Sequence, residues 1–315
     1  MKEFVSLRQT RNLCHRGTRR LDEDDDAVDE YGKPVEKKAL TFILVHHSIT
    51  KTCYIPSIGQ IQSCNQECAA RGNDLEGNIR VGTSGWSYPH WKEVFYPANC
   101  PTSKWLECYA EHFDTVELNA TFYRLPQVST FKGWKRRTPD NFLWAVKANK
   151  YITHTKRLKE PKESLERFYS AALVLEEKLG PILFQLPPSL TFKQEEFEVF
   201  CQCLCSTKRH SLEVRHPSWI TDRCFAILEK YNIAFCIADS AGRYPFHEAG
   251  TADFIYVRLH GSKRLYASEY GEEELQGWAQ KIKDWGKDTY LYFDNDFQGN
   301  AVKNAKRLKE ILGLS

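Results

Sequence analysis

Short apolar runs alternate with longer helical patterns from Ile79 onward, and this alternation constrains the fold more than any other feature of the sequence. The short runs are interpreted as strands and cover residues 79–83, 115–119, 142–147, 182–186, 211–215, 234–239, 254–260 and 289–294. Helical patterns cover residues 103–113, 161–179, 193–205, 218–231, 272–285 and 300–312, whereas the connection 240–253, with its Gly and Pro, is not typical of a helix. Eight strands separated mostly by helices over about 237 residues predict an α/β fold of the (β/α)8 TIM-barrel type. A doubly wound open sheet is the alternative, but it needs fewer strands, and no glycine fingerprint follows the first strand.

Residues 1–78 differ from the rest of the chain in composition and in hydropathy pattern. They combine an Arg-rich start, the acidic cluster DEDDD and a Cys-containing polar piece, with no sustained apolar period. We therefore predict an N-terminal extension over 1–78, for which disorder is one interpretation, followed by a single domain over 79–315. The Arg-rich start weakly resembles a mitochondrial presequence, but no clear amphipathic helix emerges, so a disordered terminus is favoured.

Composition limits the classes of function that the chain can have. The formal net charge of +3 is small for 315 residues and predicts no general attraction to nucleic acid or to a membrane. The longest apolar run, ALTFILV (39–45), is far shorter than the roughly 20 residues that span a bilayer. The eleven cysteines are scattered, and the spacing of Cys201, Cys203 and Cys205 suits neither a zinc site nor a disulfide framework. Because free thiols fit a reducing compartment, we expect a cytoplasmic protein without a membrane partner, with the mitochondrion as the alternative.

Polar side chains interrupt the predicted strands near their carboxyl ends. Because one side of each barrel strand packs on helices, these residues are expected to point inward, at the end where barrel enzymes keep their chemistry. They are Glu117, Asn119, Lys147, Gln185, Glu213, Arg215, Asp239, Arg258, His260 and Asp294, and the aromatic residues near them are Trp86, Tyr88, Phe122, Tyr123 and Trp219. So many charges cannot be buried unpaired, so they form an internal ion-pair network or meet a ligand. The nearby aromatic rings favour a ligand.

Seven stretches of the chain resemble the successive motifs of the YecE-like family (domain of unknown function 72). They are VGTSGWSYPHW, YAEHFDTVELNATFYRLP, VKANKYITH, LGPILFQLPPS, LEVRHPSW, YVRLHG and YFDNDFQGNAVKNAKRL, and they run in order from about Ile79 to Leu312. The resemblance implies a TIM barrel, but it implies no reaction because the family has no settled activity. FDND at the end of the eighth strand departs from an Asn-rich pattern. Asp294 is therefore a less secure site residue than Asn295 or Asp296.

The balance of residue types favours an anionic ligand that bears a phosphate or a carboxylate, and an enzyme of hydrolase, lyase or isomerase type. Lys147, Arg215 and Arg258 are the predicted cationic partners of this ligand, since Arg offers a planar fork and Lys a point charge. The other predicted ligand-binding residues are Trp86, Asn119, Tyr123, Gln185 and Asn295, with backbone amides of the Gly82-to-Gly85 turn. The catalytic candidates are Glu117 or Glu213 as general base, His260 as general acid or electrostatic partner, and Asp239.

Other functions stay open from the sequence alone. A divalent metal is one alternative, as in a metal-dependent phosphoesterase or endonuclease, although three cations share the space. Its candidate ligands are Glu117, Glu213, Asp239 and His260. No other cofactor is predicted, and the sequence does not give the oligomeric state.

Two further classes also stay open. The basic stretches FKGWKRR (131–137) and HTKRLK (154–159) allow single-stranded nucleic acid as a partner, although a solvated surface explains them as well. A barrel that binds without turnover is the other class. A Schiff base on Lys147 is disfavoured, because the nearby carboxylates are expected to keep its amine charged.

Overall fold

The fold is that of a computed structural model, which describes residues 77–314. Eight parallel strands lie in the order β1-β8-β7-β6-β5-β4-β3-β2. Their bounds are β1 Ile79–Thr83, β2 Thr115–Leu118, β3 Leu143–Lys147, β4 Leu179–Gln185, β5 His210–Glu213, β6 Ile233–Asp239, β7 Phe254–Leu259 and β8 Asp288–Phe293. All eight predicted strands are present, so the predicted TIM-barrel architecture is confirmed. The predicted extension over 1–78 lies outside the described residues, apart from 77 and 78.

The barrel closes between β1 and β2, the two ends of that order. Ser84 forms a parallel bridge with Glu117, and the amide of Gly85 donates to the carbonyl of Glu117 at 2.8 Å. Gly82 permits this approach, because a Cβ at that position would lie 2.5 Å from the carbonyl oxygen of Thr115. A larger residue at position 82 would push apart the strands that lead to Ser84 and Glu117.

Helices cover the outside of the sheet. Their bounds are α1 Trp105–Ala110, α2 Ala120–Tyr123, α3 Val128–Arg137, α4 Pro161–Ala172, α5 Gln194–Gln202, α6 Asp222–Lys230, α7 Glu272–Trp285 and α8 Asn300–Leu312. A single π-helical turn, Tyr151–Thr155, follows β3, and no regular helix lies between β6 and β7, as predicted. Within residues 77–314, no helix is long and apolar enough to cross a bilayer.

Some helices differ from the prediction for local reasons. The prediction missed α3, which buries only one side chain, Phe131, and so has almost no apolar stripe to reveal it. The helix predicted over 161–179 ends at Ala172, and a 3-10 turn with Glu176 at a φ of 54° leads from it into β4. The helix predicted over 193–205 ends at Gln202, before the second and third cysteines of its cluster.

Side chains alternate along the strands, so the barrel has two apolar layers. The inner layer contains Ala145, Leu183, Cys236, Tyr256 and Tyr292. The outer layer, under the helices, contains Trp144, Phe184, Ile237, Val257 and Phe293. Each fully buried large apolar side chain stabilises the fold by roughly 1.5–3 kcal/mol. The same alternation decides which residues at the carboxyl ends of the strands stand over the inner layer and meet one another.

Candidate functional site

Arg258, on β7, is the centre of a buried charged cluster at the carboxyl end of the barrel. Its guanidinium donates to three carboxylates, at 2.7 Å to Glu117, 2.7 Å to Glu213 and 2.9 Å to Asp294. Nε donates to the second oxygen of Glu117 at 3.0 Å, and Nη1 lies 3.3 Å from Nε2 of His260. Burial opposes the charge, but the carboxylates raise the pKa of Arg258 well above its ordinary value. Because these contacts use all five of its donors, Arg258 is held by the protein.

Glu117, on β2, is fully buried and is the main partner of Arg258. Oε1 accepts from the Ser84 hydroxyl at 2.6 Å and from Arg258, and Oε2 accepts from the Tyr256 hydroxyl at 2.7 Å and again from Arg258. A carboxylate has about four lone-pair sites, and these four donors fill them. Glu117 is therefore placed to fix Arg258 rather than to accept a proton from a ligand.

Glu213, on β5, lies between two arginines. Oε2 accepts from Arg258 at 2.7 Å, and Oε1 accepts from Nε of Arg215 at 3.0 Å. Burial opposes the charged carboxylate, but the two arginines prevail and hold the pKa of Glu213 well below its usual range. The terminal nitrogens of Arg215 make only long contacts, at 3.3 Å to the hydroxyl of Tyr244 and 3.4 Å to that of Tyr266. Arg215 therefore keeps donors that a ligand can engage.

Asp294 and His260 complete the cluster. Nδ1 of His260 lies 2.9 Å from Oδ2 of Asp294, a close polar contact in which the ring N–H is not aligned for a hydrogen bond. Burial raises the pKa of Asp294, but Arg258 and His260 outweigh it, so the net direction is down. Asp294, which the sequence marked as a less secure site residue than Asn295 or Asp296, therefore lies in the cluster. It continues the inward side of β8 that Tyr290 and Tyr292 begin.

Lys147, on β3, is the buried cation of this mouth that has no ionic partner among residues 77–314. Its side chain is buried, and Nζ lies 4.3 Å from the centre of the Phe122 ring. Burial and the positive charge of Arg258 lower its pKa from 10.5 to about 8, although Glu213 acts in the other direction. Lys147 therefore differs from Arg258, because no carboxylate of the described residues lies within salt-bridge distance of its ammonium.

Two buried acceptors and a histidine lie on the same side of the mouth. Within residues 77–314, Oδ1 of Asn119 and Oε1 of Gln185 have no hydrogen-bond partner. The ring of His154, in the π-helical turn, lies 5.0 Å from that of Phe122. Burial, and then the charge of Lys147, lower the pKa of His154 to about 4, so its imidazole is neutral at pH 7. Sequence reasoning missed His154. The available signal was its place in VKANKYITH, on a loop after a strand, where barrel sites are built.

Asp239 does not join the cluster, and the expectation that it faces inward is wrong. On β6 the inner layer takes Ala238 and Cys236, so the alternation turns Asp239 toward the helices. There Oδ2 accepts from the hydroxyl of Tyr270 at 2.9 Å and Oδ1 from the amide of Ala241 at 3.3 Å. These contacts give Asp239 a role in holding the loops after β6 and β7.

Asn295 and Trp86, both predicted to bind a ligand, are also placed away from the cluster. Asn295 follows the outward side of β8 and donates at 2.9 Å to the carbonyl of Ser268 and to the side chain of Asn304. Trp86 packs edge-on against the outer-layer ring of Trp144, with 5.4 Å between the ring centres. Both side chains therefore support the loops around the mouth.

The remaining predicted aromatic residues divide between the rim and the outer layer. Tyr123 is at the rim, with 41% of its surface exposed. The hydroxyl of Tyr88 donates to the carbonyl of Ser84, which places Tyr88 over the β1 side of the cluster. Trp219 is buried in the outer layer, where its indole donates to the carbonyl of Leu190 at 2.7 Å.

The four candidate metal ligands do not form a metal-binding group in this arrangement. No set of three or more His, Cys, Asp and Glu side chains with suitable geometry occurs within residues 77–314. The guanidinium of Arg258 lies between Glu117 and Glu213, and Asp239 faces the other way. The carboxylates of the cluster therefore bind the guanidinium of Arg258 and leave no set of ligands for a metal ion among residues 77–314.

Two surface depressions lie away from this cluster. One, of about 460 Å³, is between the start of α7 and α8, and the other, of about 620 Å³, is between α3 and the 3-10 turn before β4. The second is lined by surface ion pairs such as Lys135 with Glu176 and Glu177. We place the candidate site at the barrel mouth because buried, unmatched groups indicate a ligand better than a depression lined by exposed pairs.

An eight-stranded parallel barrel defines a TIM-barrel protein. Its buried charged cluster lies at the carboxyl end of the strands, where TIM-barrel enzymes have their active sites. The chain belongs to the family described as "Protein of unknown function DUF72", whose model matches residues 80–315. The resemblance to the YecE-like family is thereby confirmed.

Named relatives and solved structures agree with this membership. The chain is 26% identical over 271 residues to the UPF0759 protein YunF of Bacillus subtilis (75% of this chain and 95% of YunF). It is 26% identical over 241 residues to the UPF0759 protein YecE of Escherichia coli K12 (68% of this chain and 84% of YecE). A crystal structure of a DUF72 family protein from Thermotoga maritima superposes with a TM-score of 0.68 at 31% identity, over 75% of this chain and 99% of that one.

Proposed function

We propose that this protein binds a small anionic molecule, bearing a phosphate or a carboxylate, between Lys147 and Arg215 at the barrel mouth. The observation that carries the proposal is the buried side chain of Lys147, whose ammonium has no salt-bridge partner among residues 77–314. A buried, unpaired charge is costly, so a ligand that supplies the missing negative charge accounts for its presence. The terminal nitrogens of Arg215 make only long hydrogen bonds, and its positive charge is near enough to contribute to the lowered pKa of Lys147.

The unpaired acceptors of Asn119 and Gln185 narrow the chemistry of this ligand. Side-chain amide oxygens without partners are satisfied by groups that donate hydrogen bonds. A hydroxyl-bearing anion, such as a sugar phosphate or a hydroxy acid, supplies both the negative charge and the donors. An inorganic anion supplies only the charge, so it should bind more weakly.

Acid–base chemistry on such a ligand is supported best by Lys147 and His154. A neutral imidazole accepts a proton, and an ammonium whose pKa is about 8 donates one near neutral pH. Glu117 and Glu213 as general bases stay predictions, but their oxygens are engaged by arginines. Their geometry supports a role in fixing Arg258 and Arg215.

Single-stranded nucleic acid is the second candidate ligand, because exposed aromatic rings lie around the mouth. They are Tyr123, Tyr151, Tyr266 and Phe297, on the loops that follow β2, β3, β7 and β8. Such rings can stack on bases while the cations take a phosphate. The basic stretch on α3 supports this candidate less, since Lys135 pairs with Glu176 and Arg137 with Glu107.

The proposed function is tested by thermal stabilisation with a panel of phosphorylated and carboxylated metabolites, in wild type and in Lys147→Met. Ligands that stabilise the wild type should bind Lys147→Met at least tenfold more weakly, because a charge-assisted hydrogen bond is lost. Lys132→Met is the matched control, since it removes the same charge from an exposed position on α3. The proposal fails if no anion stabilises the wild type or if Lys147→Met responds equally.

The alternatives give different results in the same series. Proton NMR of each stabilising ligand with the protein separates turnover from binding without turnover. Salt-dependent binding of fluorescent single-stranded oligonucleotides near 50 mM salt would favour the nucleic-acid candidate. Stabilisation by Mn²⁺, Zn²⁺ or Mg²⁺ that Glu117→Gln abolishes would favour a metal-dependent phosphoesterase.

A further inference from the structure

Two cysteines outside the barrel mouth lie in direct contact. Sγ of Cys100, just before α1, is 2.8 Å from Sγ of Cys108, within α1, and both side chains are partly exposed. A disulfide bond is about 2.05 Å long, so the two sulfur atoms need to approach by only about 0.8 Å. No third His, Cys, Asp or Glu completes a metal-binding group with them in the described part of the chain. The pair is therefore suited to bond with itself.

Local packing holds the two sulfur atoms together. The indole of Trp105 donates to the carbonyl of Cys100 at 3.3 Å, and the ring of Tyr96 stacks on that of Trp105 at 4.7 Å. The amide of Cys100 donates to the carbonyl of Pro97 at 2.9 Å. These contacts fix the backbone on the Cys100 side, while the helix fixes Cys108.

We propose that Cys100 and Cys108 are a reversible redox pair, closed to a disulfide by exchange with a small disulfide of the glutathione class. The proposal departs from the sequence-based expectation of free thiols. It is independent of anion binding at the barrel mouth.

The exchange proceeds in two balanced steps. The thiolate of Cys100 attacks one sulfur of glutathione disulfide, which forms a mixed disulfide and releases one glutathione thiolate. Cys108 then loses its proton to solvent and attacks the sulfur of Cys100, which releases the second glutathione thiolate. Two electrons pass from the cysteine pair to glutathione disulfide. The hydrogen bond to Cys100 raises the pKa of Cys108 to about 11, so Cys108 keeps its proton in the first step.

The pair lies at the end of a connection that also carries a residue of the barrel mouth. Cys100 ends the connection from β1 to α1, which carries Tyr88, and the hydroxyl of Tyr88 donates to the carbonyl of Ser84 beside Glu117. A disulfide between Cys100 and Cys108 fastens the far end of this connection to α1. The loop that it closes is short, so the stabilisation is expected to be modest.

Peptide mapping tests the proposal directly, because Lys104 separates the two cysteines. The full chain is equilibrated in buffers of rising glutathione disulfide to glutathione ratio, alkylated and digested with trypsin. Oxidation should join peptide 93–104 to peptide 105–124, and excess dithiothreitol should release them. In Cys108→Ser the expected product is a glutathione adduct on Cys100, while Cys203→Ser, the matched control, should still give the joined peptides. Full alkylation of both cysteines in the oxidised buffer would overturn the proposal.

A melting measurement gives a second readout. Oxidation should raise the Tm of the wild type by about 5 °C, because the cross-link restricts the unfolded chain. Cys108→Ser should show no such rise. An equal rise in Cys108→Ser, or none in a wild type whose joined peptides are complete, would contradict the fastening of this loop.

Discussion

Replacing Lys147 by Met should stabilise the unliganded protein. Met keeps most of the side-chain volume and removes the buried ammonium. The pKa of Lys147 falls from 10.5 to about 8 on folding. Each pKa unit corresponds to about 1.4 kcal/mol, so the charge costs the fold about 3 kcal/mol at most. We therefore expect Lys147→Met to raise the free energy of unfolding by about 1–3 kcal/mol at pH 7. Residues that serve binding often lower the stability of the folded protein in this way.

The gain in stability of Lys147→Met over the wild type should depend on pH. Below pH 8 both folded and unfolded chains carry the protonated amine, so the destabilisation by Lys147 is fully present. Between pH 8 and 10.5 the unfolded chain binds more protons, so the wild type gains stability as pH rises. The advantage of Lys147→Met should thus shrink over this window and vanish above it.

Urea denaturation of both proteins at pH 7, 8.5 and 9.5 measures this difference, with Lys132→Met as the control for a lost surface charge. The reasoning is refuted if Lys147→Met is destabilised at pH 7. It is also refuted if the difference between the two proteins does not depend on pH.

Three further outcomes follow from the cluster. Arg258→Met should lose about 3–5 kcal/mol of stability, because buried carboxylates then lack their positive partner. Adding Glu117→Gln to Arg258→Met should restore part of that loss. Additive effects of the two substitutions in urea denaturation would contradict the pairing. Anion affinity should fall as pH rises through 8, when Lys147 loses its proton, and calorimetric titration from pH 6.5 to 9.5 should show this fall in wild type but not in Lys147→Arg. Asp239→Asn should leave anion affinity unchanged within about twofold and lower the Tm, because Asp239 holds Tyr270; a large loss of affinity would return Asp239 to the site.

The barrel was predictable because its signals are local and repeated. Each strand is a short apolar run, and most helices bury a broad apolar stripe, so both appear in the sequence. The missed helix α3 buries only Phe131, and the early end of α4 depends on a tight turn at Glu176. Neither depends on a pattern that a single sequence displays. The closure through Gly82 likewise depends on a contact with a distant residue, Thr115.

Which polar residues meet was predictable only where the strand alternation was read correctly. Glu117, Glu213 and Arg258 lie on the inward side of their strands, and they converge. Asp239 comes one residue after Ala238, which points inward, so Asp239 points outward. The prediction was wrong because it used the position of Asp239 at the end of the strand and ignored the alternation of side chains. The sequence does not show that all donors of Arg258 are engaged while Lys147 has no ionic partner, because both are cations at inward positions near the ends of their strands.

The most direct test of the central claim is a crystal structure of the protein soaked in selenate, measured at the selenium absorption edge. Selenate resembles a phosphate group in shape and charge and marks its own position by anomalous scattering. We expect an anomalous peak within about 4 Å of both Nζ of Lys147 and the guanidinium of Arg215, a charge-assisted contact distance. Peaks confined to exposed lysines, with none at the barrel mouth, would contradict the account.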